Sequence, residues 1–397
     1  MKKINRSIVL ILLLSITILT ACGSPESAPV EEVAPAEEEA PTESDSAGVE
    51  EVDLADFGVD CSKYSDEFAK DPNGKPAVPA SEISLTDDEI AQVKEGGYTA
   101  ALLWAGAGEW YNGLTDGAKA AFSELGIEIV AMADAQFDPA KQATDVETTL
   151  ALDPDIILTL VVDPVSGAQA FQPAVDKGVV IVFADNGADG YTAGDQYVGI
   201  VTGDHYGMGR GAADLMNDAL NGAGEIGFIF HDADYFVTNN RDRTFACRIQ
   251  KEYPEIKIIA AGGFTEEPKT EEIASAMLVQ HPEIDGIYVA WDVAAEGVIA
   301  ALRAAGRDDV KITTEDLGAT NDLDMAQGGS MYGKTIDLPY DIGMTMAKMA
   351  AYKLIDKDAP PFVVVDLIKV RKDNLAEAWQ RALNMEPPTD ILEALGE

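Results

Sequence analysis

Carboxylates and aromatic rings recur in this chain at one kind of position, just past short apolar runs. Trp104 closes TAALLW, and Trp110 and Tyr111 open the amphipathic stretch that follows. Asp163 follows IILTLVV, Asp185 and Asn186 follow VVIVFA, and His231 and Asp232 follow IGFIF. Trp291 and Asp292 follow GIYVA, Glu315 and Asp316 follow VKITT, and Asp337 follows MYGKTI. Carboxylates accept paired hydrogen bonds from vicinal hydroxyls, and aromatic faces stack on the apolar face of a ring. Such a set suits the grip of a small polyhydroxylated ligand. It also suits a cationic amine, which Arg241 would repel unless a carboxylate neutralised it. A single Asp at such a place is the usual N-cap of the next helix. It is the repetition that points to a ligand.

Other chemistry is poorly served. The only histidines are His205, His231 and His281, without HExxH or CxxC spacing. The stretch Asp185–Gly190 fails the calcium-loop pattern, and no GxSxG is present. Gly207-Met-Gly209-Arg-Gly211-Ala212 loosely matches a dinucleotide fingerprint, but its glycines lie inside a helix start and read as close packing. The expectation is a binding protein, not an enzyme, with no metal and no cofactor.

The elements that must carry these residues alternate. Strands are expected at Thr99–Trp104, Ile127–Met132, Ile156–Val161, Val179–Phe183 and Tyr197–Val201. A second series is expected at Ile226–Phe230, Ile256–Ala260, Gly286–Ala290, Val310–Thr313 and Met331–Ile336, with a late strand Phe362–Val370. Helical patterns lie between them, such as 113–125 and 296–305, each closed by a glycine. Continuous apolar strands separated by helices predict parallel sheets covered on both faces. Ten units are too many for one doubly wound sheet and split near Gly203. The expected class is α/β, with two Rossmann-like lobes. In such sheets ligands bind beyond the carboxyl ends of the strands, where the residues above stand.

The chain has 397 residues, 70 acidic and 28 basic, for a net charge of −42. Nothing in that balance could neutralise a phosphate backbone, so nucleic acid is excluded as a partner. Lys2, Lys3 and Arg6 precede an apolar run that ends at Leu19, the shape of a secretory signal over 1–22. Residues 24–60 hold 13 acids, four prolines and a single aromatic, Phe57. A disordered acidic tether is expected over 23–60. Cys61 and Cys247 remain, and outside the cytoplasm they are free to pair or to stay separate. Thr86 to Glu89 reads as a capped helix start within an N-terminal extension, 61–95.

Leu19-Thr20-Ala21-Cys22 resembles the lipobox of bacterial lipoproteins, which implies a lipid on Cys22 and an extracytoplasmic, membrane-anchored protein. Residues 103–125 (LWAGAGEWYNGLTDGAKAAFSEL), 138–164, VVIVFADN (179–186) and KTIDLPYDIG (334–343) resemble ribose- and galactose-type sugar-binding proteins of ABC importers. The resemblance implies a type I periplasmic binding protein fold, two lobes on a three-strand hinge that close around one ligand. Hinge crossings would lie near Thr202–Asp204, Asp337 and Val365. The lobes would be 96–202 plus 338–364 and 203–337 plus 365–397. The family's stacking aromatics fall on Trp110 and Tyr111, its polar strand-end ligand on Asp163, its hydroxyl-binding Asp on Asp185 and its ring-clamping Arg on Arg241. Trp291 stands where ribose binders carry Asn, Glu315 replaces an aromatic beside Asp316, and Asp337 replaces an amide. With Asn186 and Asp292 these complete the expected site. The implied partner is an ABC permease that receives a sugar or polyol from a monomer. A receptor that senses a sugar-like signal would share the same cleft.

Overall fold

The computed structural model describes residues 51–63, 70–72, 74 and 76–396. The signal segment, Cys22 and most of the expected tether lie outside the described residues. Thirteen strands occur among the described residues. They are β1 Val78–Pro79, β2 Thr99–Trp104, β3 Glu128–Asp134, β4 Ile156–Thr159, β5 Val180–Ala184, β6 Ile200–Gly203 and β7 Gly224–His231. β8 Ile256–Phe264, β9 Gly286–Val289, β10 Lys311–Glu315, β11 Met331–Ile336, β12 Phe362–Val365 and β13 Ile368–Val370 follow. The runs IILT, IVTG, GIYV and FVVV are buried along their whole length, as strands covered by helices on both faces must be.

The strands form two sheets, each the centre of one lobe. The first has the order β1-β12-β6-β5-β4-β2-β3 and is parallel throughout. The second has the order β13-β11-β10-β9-β7-β8, parallel except where β13 runs against β11. Three passages join them. After β6 the chain enters the helix His205–Ala219, which packs on β10 and β11 of the second sheet. After β11 it enters the helix Pro339–Leu354, which packs on β5 and β6 of the first. The third passage is the two-residue step from β12 to β13. The expected single strand Phe362–Val370 is therefore two, broken at Asp366 and Leu367 as the chain changes sheets. An unbroken apolar run gives no sign of such a change.

The first lobe is tied together where the helices Glu109–Leu125 and Pro339–Leu354 cross. A methyl group on Gly117 would collide with the Tyr340 carbonyl oxygen, and one on Gly343 with that of Leu114. Only glycine lets the two backbones meet so closely. Thr86 and Glu89 form the expected reciprocal capping box at the head of the helix Asp87–Gly96.

The N-terminal boundary differs from the expected tether. Residues 51–60 pack on the second lobe: the Val52 amide donates to the Ile258 carbonyl at 2.9 Å. Leu54 is buried, and Phe57 sits edge-on to Phe230 at 5.9 Å between ring centres. Val52, Leu54, Phe57 and Val59 supply an apolar face that the acid-rich composition conceals. Cys61 and Cys247 form a disulfide with Cα atoms 5.3 Å apart, which pins this segment to the helix Phe236–Glu252. The chain then adds β1 beside β12, at the edge of the first sheet. Among the described residues no helix is long and apolar enough to cross a membrane.

Candidate functional site

The strand ends turn abruptly. Asp185, after β5, and Asp316, after β10, both adopt left-handed backbone, with φ of 52° and 65°. Asp tolerates that region better than most residues, but it costs on the order of 1 kcal/mol, and such strain collects at functional sites. Both carboxylates belong to a group centred on Arg241, which the helix Phe236–Glu252 delivers into the interior at 4 % exposure. Arg241 Nη1 donates to Asp316 Oδ2 at 2.7 Å. Its Nε lies 2.9 Å from Glu315 Oε2, and its Nη2 lies 3.7 Å from Asp337 Oδ2. Asp337, in the second passage between sheets, also accepts a hydrogen bond from Trp110 Nε1 of the first lobe at 3.0 Å. Asp185 accepts from Thr202 Oγ1 at 2.6 Å, and that hydroxyl also meets His205 Nε2 at 2.8 Å.

Burial dominates the electrostatics. It raises Asp185 to about 6, against the opposing pull of Arg241 and the Thr202 hydroxyl. Burial also lifts Glu315 and Asp337 well above the usual carboxylate range, with Asp316 adding to both shifts and Arg241 opposing them. Arg241 is held in its charged form because its four carboxylate neighbours outweigh its own desolvation. His205 is pushed well below its ordinary value by burial and by Arg241, and so stays neutral.

Trp110, Asp185, Arg241, Asp316 and Asp337 thus come together. Tyr111 stands beside them, edge-on to Trp110 at 5.1 Å. Its hydroxyl is raised well above its usual range by burial, then by Tyr235 and Asp185. Asn186 is 4 % exposed; its amide lies against the Tyr235 hydroxyl, and its Oδ1 makes no hydrogen bond. Asp292 backs the group: burial raises it, followed by Asp316. Trp291 meets a neighbouring set instead, donating to Glu267 Oε1 at 2.8 Å and packing on Phe264 and His231. Asp163 is not brought in. Its Oδ1 accepts from the Ser166 amide at 2.7 Å and hydroxyl at 2.6 Å, the capping geometry of an ordinary strand-end Asp.

Several partners escape a reading of strand ends. Tyr235 lies against the group, its hydroxyl raised by burial and by Asp185. Asp242, next to Arg241, accepts from the His231 amide at 2.9 Å and from Tyr288 Oη at 2.8 Å. Burial takes it to about 7. Lys334 and Asp322, both fully buried, form a 2.5 Å pair behind the loop after β10. Asp322 also takes hydrogen bonds from Trp379 Nε1 at 2.9 Å and from the Gly318 amide at 3.2 Å. The sequence signals were a polar run, NNRDR, on a helix with little amphipathic pattern, and a lysine inside the strand MYGKTI.

The space between Trp110, Asp316, Asp337 and Pro339 measures about 10 Å³. A much larger cavity, about 580 Å³, lies on the outside of the first lobe between Ala168, Gln172, Asp189 and Tyr191. None of the strand-end group lines it, so the chemistry decides in favour of the smaller space.

Comparison with known proteins agrees with this architecture. Residues 100–358 match the periplasmic binding protein domain. The chain is 26 % identical over 233 residues to the D-ribose/D-allose-binding protein of Pseudomonas aeruginosa, covering 57 % of this chain and 72 % of the relative. It is 28 % identical over 221 residues to the D-allose-binding periplasmic protein of Escherichia coli, covering 52 % and 71 %. Among solved structures, an ABC transporter solute-binding protein from Agrobacterium vitis bound with α-D-tagatopyranose superposes with a TM-score of 0.65. It has 19 % identity and covers 72 % of this chain and 99 % of that one. The relatives are named as binding proteins rather than enzymes. The chain belongs to the periplasmic binding protein family.

Proposed function

We propose that the protein captures a small sugar or polyol between its two lobes and delivers it to an ABC permease, held at the membrane by a lipid on Cys22. One observation carries this reading: a single guanidinium, four carboxylates and a tryptophan are assembled from both lobes and from a passage between them. Trp110 and Asp185 come from the first lobe, Arg241, Glu315 and Asp316 from the second, and Asp337 from the connection. A group so divided changes its own geometry when the lobes move. Relatives named for D-ribose and D-allose, and a family that works outside the cytoplasm, support the same reading.

Capture requires movement. The space of about 10 Å³ is far below the roughly 300–1,000 Å³ of ligand pockets. The lobes, 96–203 plus 338–365 and 204–336 plus 368–397, part about the passages at 204, 337 and 366–367 to admit the ligand. They then close on it. Closure excludes water, so hydrogen bonds to ionised groups strengthen, and the ligand's preference for the closed form drives the shift. Trp110 and Tyr111 supply the apolar wall. Asp185, Asn186, Asp316 and Asp337 take the hydroxyls.

The test is a thermal-shift panel of pentoses, hexoses, inositols and their amino derivatives. A ligand at 1,000 times its Kd stabilises by about 4 kcal/mol. At least one compound is expected to raise Tm by several degrees. A flat panel overturns the reading.

A further inference from the structure

We propose that the ligand of this cleft carries a positive charge, a protonated amine on a polyhydroxylated body such as an amino sugar or an amino polyol. This rests on the sugar-capture reading and narrows it. Carboxyl groups crowd this cleft. Asp185, Glu315, Asp316 and Asp337 surround Arg241, with Asp292 behind Asp316 and Asp242 next along the helix. Behind the group a second cation, Lys334, is already engaged by Asp322 and Asn321. Seven carboxyl groups, several lifted by burial and easier to ionise beside an added cation, thus stand with Arg241 and Lys334 in and behind one cleft. Arg241, the group that would repel a cation, is turned onto its own carboxylates.

Two further observations point to a ligand rather than to a self-contained salt-bridge network. Asp337 is 1 % exposed and lines the space beside Trp110 and Asp316, yet its Oδ2 accepts no hydrogen bond. It stands 3.7 Å from Arg241 Nη2, beyond hydrogen-bond reach. Asn186, also buried beside Asp185, leaves its amide oxygen without a hydrogen bond. The one unbonded donor of Arg241, its Nε, already faces Glu315 at 2.9 Å, so the oxygens of Asp337 and Asn186 are left as acceptors for a ligand. An ammonium brings three donors and no acceptor, which suits those acceptors, whereas a neutral hydroxyl brings one donor and asks for donors in return. Trp110 and Tyr111 add ring faces that attract a cation.

Isothermal titration of the full chain at pH 7.5 against matched pairs tests this directly: D-glucose with D-glucosamine, D-galactose with D-galactosamine, D-mannose with D-mannosamine. D-ribose, D-allose and myo-inositol complete the neutral set. At least one amino compound is expected to bind ten or more times tighter than its neutral partner, with that ratio falling at least tenfold in Asp337→Asn. A neutral compound that binds as tightly as every amino compound, or tighter, overturns the proposal and leaves sugar capture standing. An unchanged ratio in folded Asp337→Asn also overturns it. Should that variant not fold, the wild-type ratio alone decides. If no compound of either kind binds, the sugar-capture reading itself falls and takes this proposal with it.

Discussion

Arg241→Met removes the one cation that holds the strand-end group together, without shortening the side chain much. Arg241 is 4 % exposed and meets Asp316 at 2.7 Å, Glu315 at 2.9 Å and Asp337 at 3.7 Å. Deleting one partner of a buried ion pair costs about 3–5 kcal/mol, because the other charge stays buried and unpaired. Unfolding entropy for a body of this size is roughly 0.7 kcal/mol per kelvin, so a loss of about 4 kcal/mol lowers Tm by about 6 °C. The loss must depend on pH. Arg241 pulls down the carboxylates that burial pushes up. Without it they are costlier to ionise. At pH 5 Asp185 is largely protonated with or without the arginine, and less is lost. At pH 8 the full deficit appears. Differential scanning calorimetry of wild type and variant at both values reads the difference. A Tm deficit that is equal at pH 5 and pH 8, or larger at pH 5, refutes the reasoning.

Asp242 offers a cleaner linkage test. Burial raises it to about 7 from an unfolded value near 3.8. The folded state therefore holds a proton that the unfolded state has released, and stability falls as pH rises between about 4 and 7. About three units correspond to about 4 kcal/mol. Asp242→Asn keeps an acceptor for Tyr288 and the His231 amide and should flatten that slope in urea titrations at pH 5 and 8. An unchanged slope contradicts the assignment. The Cys61–Cys247 disulfide closes a loop with a separation of 186 residues, for which chain entropy gives about 5 kcal/mol. Cys247→Ala, or reduction of the wild type, should lower Tm by about 7 °C, and no change on reduction would show that the crosslink constrains nothing.

Much of the fold was legible because the strands are buried on both faces. Such strands appear in sequence as unbroken apolar runs, and β2 and β11 fall where those runs stand. Boundaries slipped where burial continues past hydrogen bonding. Val161 is buried, but β4 ends at Thr159. The division between β12 and β13 was hidden because changing sheets needs only two residues, Asp366 and Leu367. The site was legible to the extent that strand ends carry it, hence Asp185, Asp316 and Asp337. Asp163 illustrates the limit, since an Asp at a strand end and an Asp that caps a helix look alike until the Ser166 contact is seen. Tyr235 and Asp242 were missed for the converse reason. They reach the group from the helix Phe236–Glu252 and its N-cap rather than from a strand end, so no strand-end pattern marks them.

The central claim is that the strand-end group between the lobes is where ligand binds. Titration of Trp110→Ala and Asp185→Ala with the tightest compound from the panel tests it most directly. Each variant is expected to lose at least 100-fold in affinity, about 2.7 kcal/mol, while melting cooperatively. Wild-type affinity in both would contradict the account and move the site elsewhere.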